Sequence, residues 1–294
     1  MSEPAPGPVL VRRPTHLREL ARGWASSGLR SGLVPTMGGL HQGHLALVKA
    51  ARRECDRVVV SIFVNPLQFG LGEDFRHYPR RPTQDLARLR RWGVDACYWP
   101  ATSTMYPAGF ATQVQVAGAG ERWEARRRPG HFAGVATVVA KLLAACAPAR
   151  AYFGDKDAQQ VAVVTRMARD LDLGVQIRVR PTVREPDGLA CSSRNRLLSA
   201  AGRRAAPVLA QALAEASRRF AAGETGGPAL ERAARQLVAA EPKATLDYAG
   251  VVDPVDFEPV EVADAASRVM LAVAIDGVHL IDTARLGQPP RLKA

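Results

Sequence analysis

The sequence predicts an α/β protein: a doubly wound parallel sheet followed by a smaller α+β C-terminal domain. Three observations carry this. Apolar runs alternate with helical patterns through the first 185 residues. Those runs are nearly continuous, as in Val58-Val-Val-Ser-Ile-Phe63, which suits strands covered on both faces. After Ser199 the texture changes to two helices and then three strand-like segments. With 294 residues, the chain is long enough for two units of unequal size.

The elements are expected in the following order. Residues 1–14 carry Pro4, Pro6, Pro8 and Arg12-Arg13 with no apolar core, and read as a frayed leader of a cytoplasmic protein rather than a secretory signal. A helix over 15–27 leads to a strand at 32–35, a helix over 44–55 and a strand at 58–63. A helix over 83–92, with Thr83 as its cap, leads to a strand at 96–99. A short strand at 112–116 precedes a helix over 132–146. A strand at 150–153, a helix over 157–171 and a strand at 175–180 complete the first domain, 1–185. The second domain, 186–294, holds helices over 200–222 and 228–240, separated by Gly223-Glu-Thr-Gly-Gly227. Strands at 245–252, 268–275 and 278–284 follow, the last two joined by the hairpin signal Asp276-Gly277.

Composition narrows the function. No run approaches the roughly 20 apolar residues of a membrane helix. Cys55, Cys97, Cys146 and Cys191 are scattered and form no zinc or disulfide pattern. The net charge of +12 raises nucleic acid as a partner. Against that, only five of the forty basic residues are lysine, acids are interspersed among them, and aromatics make up 6% and do not interleave with the basic runs. A solvated basic surface is the better reading, and no nucleic-acid partner is expected.

The densest chemical signal is Leu33-Val-Pro-Thr-Met-Gly-Gly-Leu-His-Gln-Gly-His44, a strand running into a His-x-Gly-His turn that opens a helix. A helix start offers unpaired backbone N–H groups and a positive dipole end, glycines allow close approach, and two imidazoles add donors. Such a turn can handle a nucleoside triphosphate without a Walker lysine, although two histidines can also merely cap a helix.

Four further segments join it: Ser61-Ile-Phe-Val-Asn-Pro-Leu-Gln-Phe69, Arg128-Pro-Gly-His-Phe-Ala-Gly-Val135, Phe153-Gly-Asp-Lys-Asp-Ala-Gln-Gln160 and the run from Pro181 to Asn195 containing Cys191-Ser-Ser-Arg-Asn195. In this order and spacing the chain closely resembles the pantoate–β-alanine ligase (pantothenate synthetase) family, well over residues 30–200 and in general pattern beyond. The resemblance implies a Rossmann-like domain of the HIGH-type nucleotidyltransferases. It also implies ATP with Mg²⁺, and a reaction that joins pantoate to β-alanine through pantoyl adenylate with release of AMP and pyrophosphate. Relatives are commonly homodimers. A sister activity on another small carboxylate is the alternative, followed by a basic RNA-binding protein.

By the same resemblance Met37, Gly38, Gly39, Leu40, His41, Gln42, Gly43 and His44 form the ATP loop, with His44 the family's proton donor. Pyrophosphate needs little acid help near neutrality, so both imidazoles are assigned mainly to transition-state hydrogen bonding. Gly154, Asp155, Lys156 and Asp157 add to the ATP site, with Lys156 a compact charge for phosphate and carboxylate oxygens. Val183 contacts adenine, and Cys191, Ser192, Ser193 and Arg194 form the loop that closes on phosphates. Gln68 and Gln160 bind pantoate, with Asn65 near the same pocket and Val135 and Val138 against the gem-dimethyl group. Where relatives often carry Asp-Asp-Asp-Leu, this chain has Thr83-Gln-Asp-Leu86, leaving Asp85 as a weak metal candidate. Gln42, Asp155, Ala158 and Cys191 also depart from the residues usual in the family.

Overall fold

A computed structural model describes residues 7–70 and 73–290. Its strands and helices alternate: β1 (Val9–Val11), α1 (Pro14–Ser26), β2 (Ser31–Thr36), α2 (Gln42–Glu54), β3 (Arg57–Ile62), α3 (Pro82–Arg91), β4 (Ala96–Tyr98), α4 (Thr102–Met105), α5 (Glu124–Arg127), α6 (His131–Cys146), β5 (Arg150–Gly154), α7 (Ala158–Asp170) and β6 (Gln176–Arg180). Then follow α8 (Ala200–Ala205), α9 (Val208–Ala221), α10 (Gly227–Ala239), β7 (Ala244–Val252), β8 (Arg268–Ile275) and β9 (Val278–Arg285).

The first six strands form one parallel sheet in the order β1-β4-β3-β2-β5-β6. Neighbouring residues of one strand serve opposite faces. Leu33 and Val59 pack with Leu17, Val135 and Val163, whereas Val34, Val58 and Val60 pack with Leu47, Val48 and Leu89. Two such cores explain why the strands read as continuous apolar runs. Chain order reverses between β2 and β5, so the crevice beyond their carboxyl ends is the topological switch point where such sheets bind ligands.

β7, β8 and β9 form a separate antiparallel sheet. Val269, Leu271, Val273, Ile275 and Leu280 face Leu209, Leu213, Leu230 and Val238 of α9 and α10. Asp276 and Gly277 both take positive φ, the type I′ geometry that the Asp-Gly hairpin signal predicts. Among the described residues, no helix is long and apolar enough to cross a membrane.

Several expectations are corrected. Residues 9–11, read as part of a frayed leader, form the edge strand β1, whose pairing with β4 only the tertiary fold could supply; residues 1–6 of that leader lie outside the described residues. No strand forms at 112–116, where Val114 N–H is instead bonded to the Thr137 hydroxyl at 2.9 Å. Thr83 lies inside α3 rather than capping it, because Pro82 occupies the first turn and Arg81 stands at the cap position. The helix expected over 200–222 is two helices, broken at Pro207, which cannot donate an N–H. Lys156 lies in a 3₁₀ turn, Asp155–Asp157, ahead of α7.

Candidate active site

The loop after β2 is shaped by two glycines and one carboxylate. Gly38 and Gly39 have φ of 87° and 61°, a region that side chains resist. Gly39 N–H and Leu40 N–H donate to the two oxygens of Asp85 at 2.8 and 3.0 Å. Asp85 is almost fully buried, and its carboxylate is thereby committed to holding the loop.

His41 caps α2, its Nδ1 accepting from Gly43 N–H at 3.1 Å, while His44 Nδ1 accepts from His41 N–H at 3.2 Å. This reciprocal arrangement is a capping box built from imidazoles instead of Ser and Glu. A Cβ at position 43 would come within 2.8 Å of the His41 ring, which is why the turn reads His-x-Gly-His. With both Nδ1 atoms accepting, each neutral ring carries its proton on Nε2. Burial, then the Lys156 charge, lowers the His41 pKa to about 4. Burial, then His41, pushes His44 well below its ordinary value. Near pH 7 the pair therefore offers two neutral N–H donors, their ring centroids 4.0 Å apart. Four backbone N–H groups of the loop already have partners in Asp85 or the imidazoles, so an anion here would be met chiefly by side chains. That revises the expectation of unpaired backbone donors.

Across the switch point, β5 ends in Gly154 and presents Lys156, whose Nζ lies 3.3 Å from Asp157. Met37, His41, Gly43, His44, Gly154, Lys156 and Asp157 line one cleft with Val183, Cys191, Ser192, Ser193 and Arg194. Gln68, Gln160, Asn65, Val135 and Val138 line it as well. Five loop residues of the expected ATP set do not. Gln42 is exposed, Gly38 and Gly39 shape the turn, Leu40 is buried in the core, and Asp155 pairs with Arg268 on β8 at 2.5 Å.

Ser192 accepts Arg194 N–H at 3.2 Å and opens a 3₁₀ turn. The Ser193 hydroxyl lies 3.0 Å from Tyr78 Oη, and Arg194 makes a two-pronged pair with Asp74 at 2.8 and 3.0 Å. Cys191 N–H donates to the Val183 carbonyl at 2.9 Å.

Asn65, read as a pocket residue, is 1% exposed and consumed internally. Its amide N–H groups donate to Gln68 Oε1 and to the Gly134 carbonyl, and its oxygen accepts from Tyr106 and Leu67. It thereby fixes the 3₁₀ turn Pro66–Gln68, which α6 approaches so closely that a Cβ at Gly134 would lie 2.3 Å from the Leu67 carbonyl oxygen.

Sequence reasoning missed a further group in the same cleft. The Gln68 carbonyl accepts from Arg128 Nη2 at 3.0 Å and bonds His131 Nδ1 at 2.8 Å. Arg128 is also held by Glu73 and, at 3.4 Å, by Glu124. Burial and then the Arg128 charge lower the His131 pKa to about 4. The sequence signal for this group was the Arg128-Pro-Gly-His131 string, which gives no hint of Glu73 or Glu124.

A parallel α/β sheet with a paired-histidine loop and a facing lysine at its switch point defines a HIGH-type nucleotidyltransferase. The family model for pantoate-beta-alanine ligase matches residues 9–285. A pantothenate synthetase from Rubrobacter xylanophilus is 48% identical over 95% of this chain and 98% of its own. The crystal structure of the Thermus thermophilus enzyme superposes with a TM-score of 0.88 at 46% identity, covering 94% of this chain and 99% of that one. The enzyme from Francisella tularensis, solved with β,γ-ATP and β-alanine, gives a TM-score of 0.78 at 30% identity, covering 97% and 100%. The chain belongs to the pantoate–β-alanine ligase family.

Proposed function

We propose that this protein ligates pantoate and β-alanine to pantothenate, with ATP cleaved to AMP and pyrophosphate through a pantoyl-adenylate intermediate. A pantoate carboxylate oxygen attacks the α-phosphorus as the bond to pyrophosphate breaks. The β-alanine amine then attacks the acyl carbon, AMP leaves with the electron pair of its bond to that carbon, and the amine gives up a proton to solvent.

The observation that carries this reading is the neutral His41–His44 pair facing Lys156 across the switch point. Negative charge grows on the phosphate oxygens during in-line displacement, and fixed donors in a sheltered cleft stabilise it. Two Nε2–H groups can do this without titrating, and Lys156 adds a point charge. Ser192, Ser193 and Arg194 approach the same phosphates when Arg194 exchanges Asp74 for them. Val183 meets the adenine, Gln68 and Gln160 bind the pantoate hydroxyls and carboxylate, and Val135 and Val138 face its methyl groups.

Magnesium enters as MgATP. Among the described residues no group of three or more His, Cys, Asp or Glu side chains could cage a metal, and Asp85 spends both oxygens on backbone N–H groups. Bound as MgATP, the ion would be held mainly by phosphate oxygens. In this reading residues 1–185 bind ATP and pantoate, 186–294 cover them, and the protein works as a cytoplasmic homodimer, which sedimentation tests.

Pyrophosphate release from MgATP tests the chemistry. The expected result is a stoichiometric burst with pantoate alone, turning to steady release when β-alanine is added. Release only with another carboxylate would move the chain to a sister activity, and silence with every acid would sink the reading.

A further inference from the structure

The antiparallel sheet turns one face to α9 and α10 and the other to the cleft. On the cleft face of its central strand β8 stand two small residues, Ala272 and Ala274. Ala274 pairs with His279 on one side and Thr245 on the other, and Ala272 pairs with Ile281 and Tyr248. The outer strands β7 and β9 lie two inter-strand spacings apart, about 9–10 Å. An imidazole on β9 can span that gap only over side chains as small as alanine. It does so here: His279 Nδ1 lies 2.8 Å from Asp247 Oδ2 on β7.

A β-bulge aims the acceptor. Leu246 pairs with Val273 and Tyr248 with the adjacent Ala272, leaving Asp247 as the extra residue. Bulges re-aim side chains in this way, and here Leu246 joins the core while Tyr248 turns to the cleft.

The other ring nitrogen of His279 faces Glu124, at 3.0 and 3.1 Å from its two oxygens. Tyr248 Oη donates to Glu124 at 2.9 Å. Glu124 is 4% exposed, and although burial raises its pKa, the His279 and Arg128 contacts pull it down to about 2. Its backbone is over-determined too. Trp123, just before it, is held at a φ of +43°, its indole N–H donating to the Phe257 carbonyl at 2.8 Å and its ring lying where a Cβ on Gly250 would clash at 2.4 Å. Strain of this kind persists only where the surroundings enforce it.

We infer that His279, seated by Asp247, is a positioning residue for the organic-substrate pocket, acting through Glu124 and Arg128 on the Gln68 turn. Each link is a contact: His279 to Glu124, Glu124 to Arg128, and Arg128 to the Gln68 carbonyl that His131 also holds. With Glu124 held, Arg128 is fixed on one side, and Gln68 presents its amide at the depth where Asn65 also grips it. The antiparallel sheet thereby sets the geometry of a pocket whose lining belongs mostly to the parallel one. Without His279, a buried carboxylate beside Arg128 loses its largest partner and pulls the guanidinium off the Gln68 carbonyl.

The inference rests on the ligase reading, so the test begins with wild-type turnover on pantoate, β-alanine and MgATP. Steady-state constants for all three substrates, with melting temperatures, are then measured for His279→Ala, His279→Gln and Asp247→Asn. The expected result for His279→Ala is a KM for pantoate or β-alanine raised about tenfold, the size of one lost hydrogen bond to a charged group, with the KM for ATP within about twofold. His279→Gln, which keeps one donor for Glu124, recovers most of that loss. Combining His279→Ala with Glu124→Gln adds little to Glu124→Gln alone, because both act through one chain of contacts. Where His279→Ala does not fold, His279→Gln and Asp247→Asn show the same split in smaller measure. Unchanged constants in a folded variant, or all three KM values rising in parallel, overturn the inference while the ligase reading stands. A wild-type protein that ligates neither acid overturns both.

Discussion

His41 and His44 are three residues apart and meet within one turn of α2, whereas His131 and His279 come from a helix of the parallel layer and an edge strand of the antiparallel one and are linked through Arg128 and Glu124. The first pair needs little beyond its own loop: each imidazole satisfies a backbone N–H of the turn that carries it, and Gly43 makes room. The second pair needs both sheets in place, a bulge at Asp247 and two alanines on β8. Groups assembled locally keep their geometry when distant parts shift, while groups assembled across layers report on how those layers dock. The first suits charge stabilisation at a fixed point, and the second suits the seating of two organic substrates.

The contrast is broken most severely at the docking of the layers. Arg184 makes a two-pronged pair with Asp282 on β9, a carboxylate whose side chain is 1% exposed. Arg184→Ala leaves that charge buried and is expected to cost about 3–5 kcal/mol in urea denaturation. A loss below 1 kcal/mol would show that the layers dock without this tie.

Within the local pair, His44→Ala removes a donor aimed at developing phosphate charge. Single-turnover AMP formation is expected to slow by about 10²–10³, while losing the acceptor of the His41 N–H costs about 1 kcal/mol of stability. A slowing under tenfold would leave the imidazole as a helix cap alone.

Gly134→Ala tests the contact that seats the Gln68 turn. The added methyl meets the Leu67 carbonyl, so the turn is displaced at a cost of about 1–3 kcal/mol. The KM for pantoate is expected to rise while that for ATP stays put; equal changes in both would dissolve the proposed division of labour.

The smallest effect is in acid. His41 and His131 have pKa values near 4 in the fold against an ordinary 6.5, so between these values the unfolded chain binds more protons. Stability therefore falls as pH drops from 6.5 toward 4. Glu124 is depressed instead, so its contribution is full above its ordinary 4.5 and fades only as pH falls toward 2. His41→Asn keeps a capping side chain but removes one titrating ring, and should flatten the upper window by on the order of 1 kcal/mol. An unchanged slope would mean that the His41 ring titrates near its ordinary 6.5 in the fold as well.

Much of this was legible in the chain. The βα alternation, the Asp276-Gly277 hairpin and the His-x-Gly-His turn are local patterns, and local sterics and hydrogen bonding dictate them. The ATP-loop assignments could be made by motif, yet the motif did not separate Met37, Gly43 and the histidines, which line the cleft, from Gln42, which is exposed, and Leu40, which is core. Asp85 and Asn65 were carried over from the family resemblance, which shows nothing of the hydrogen bonds that each also makes to backbone groups brought to it by the fold. β1 was hidden among prolines and arginines because an edge strand of three residues carries almost no pattern of its own.

By itself, the sequence determined the class of fold, the parallel arrangement of the first sheet and the chemistry of the loop after β2, since each follows from periodicity or from residues within one turn of each other. Only the tertiary structure decided that the second sheet faces the cleft with its alanines, that Asp247 is bulged toward His279, and that Glu124 and Arg128 carry the contact to Gln68. Those depend on residues from 32 to 155 positions apart, and no local preference encodes a meeting that exists only once both sheets have packed.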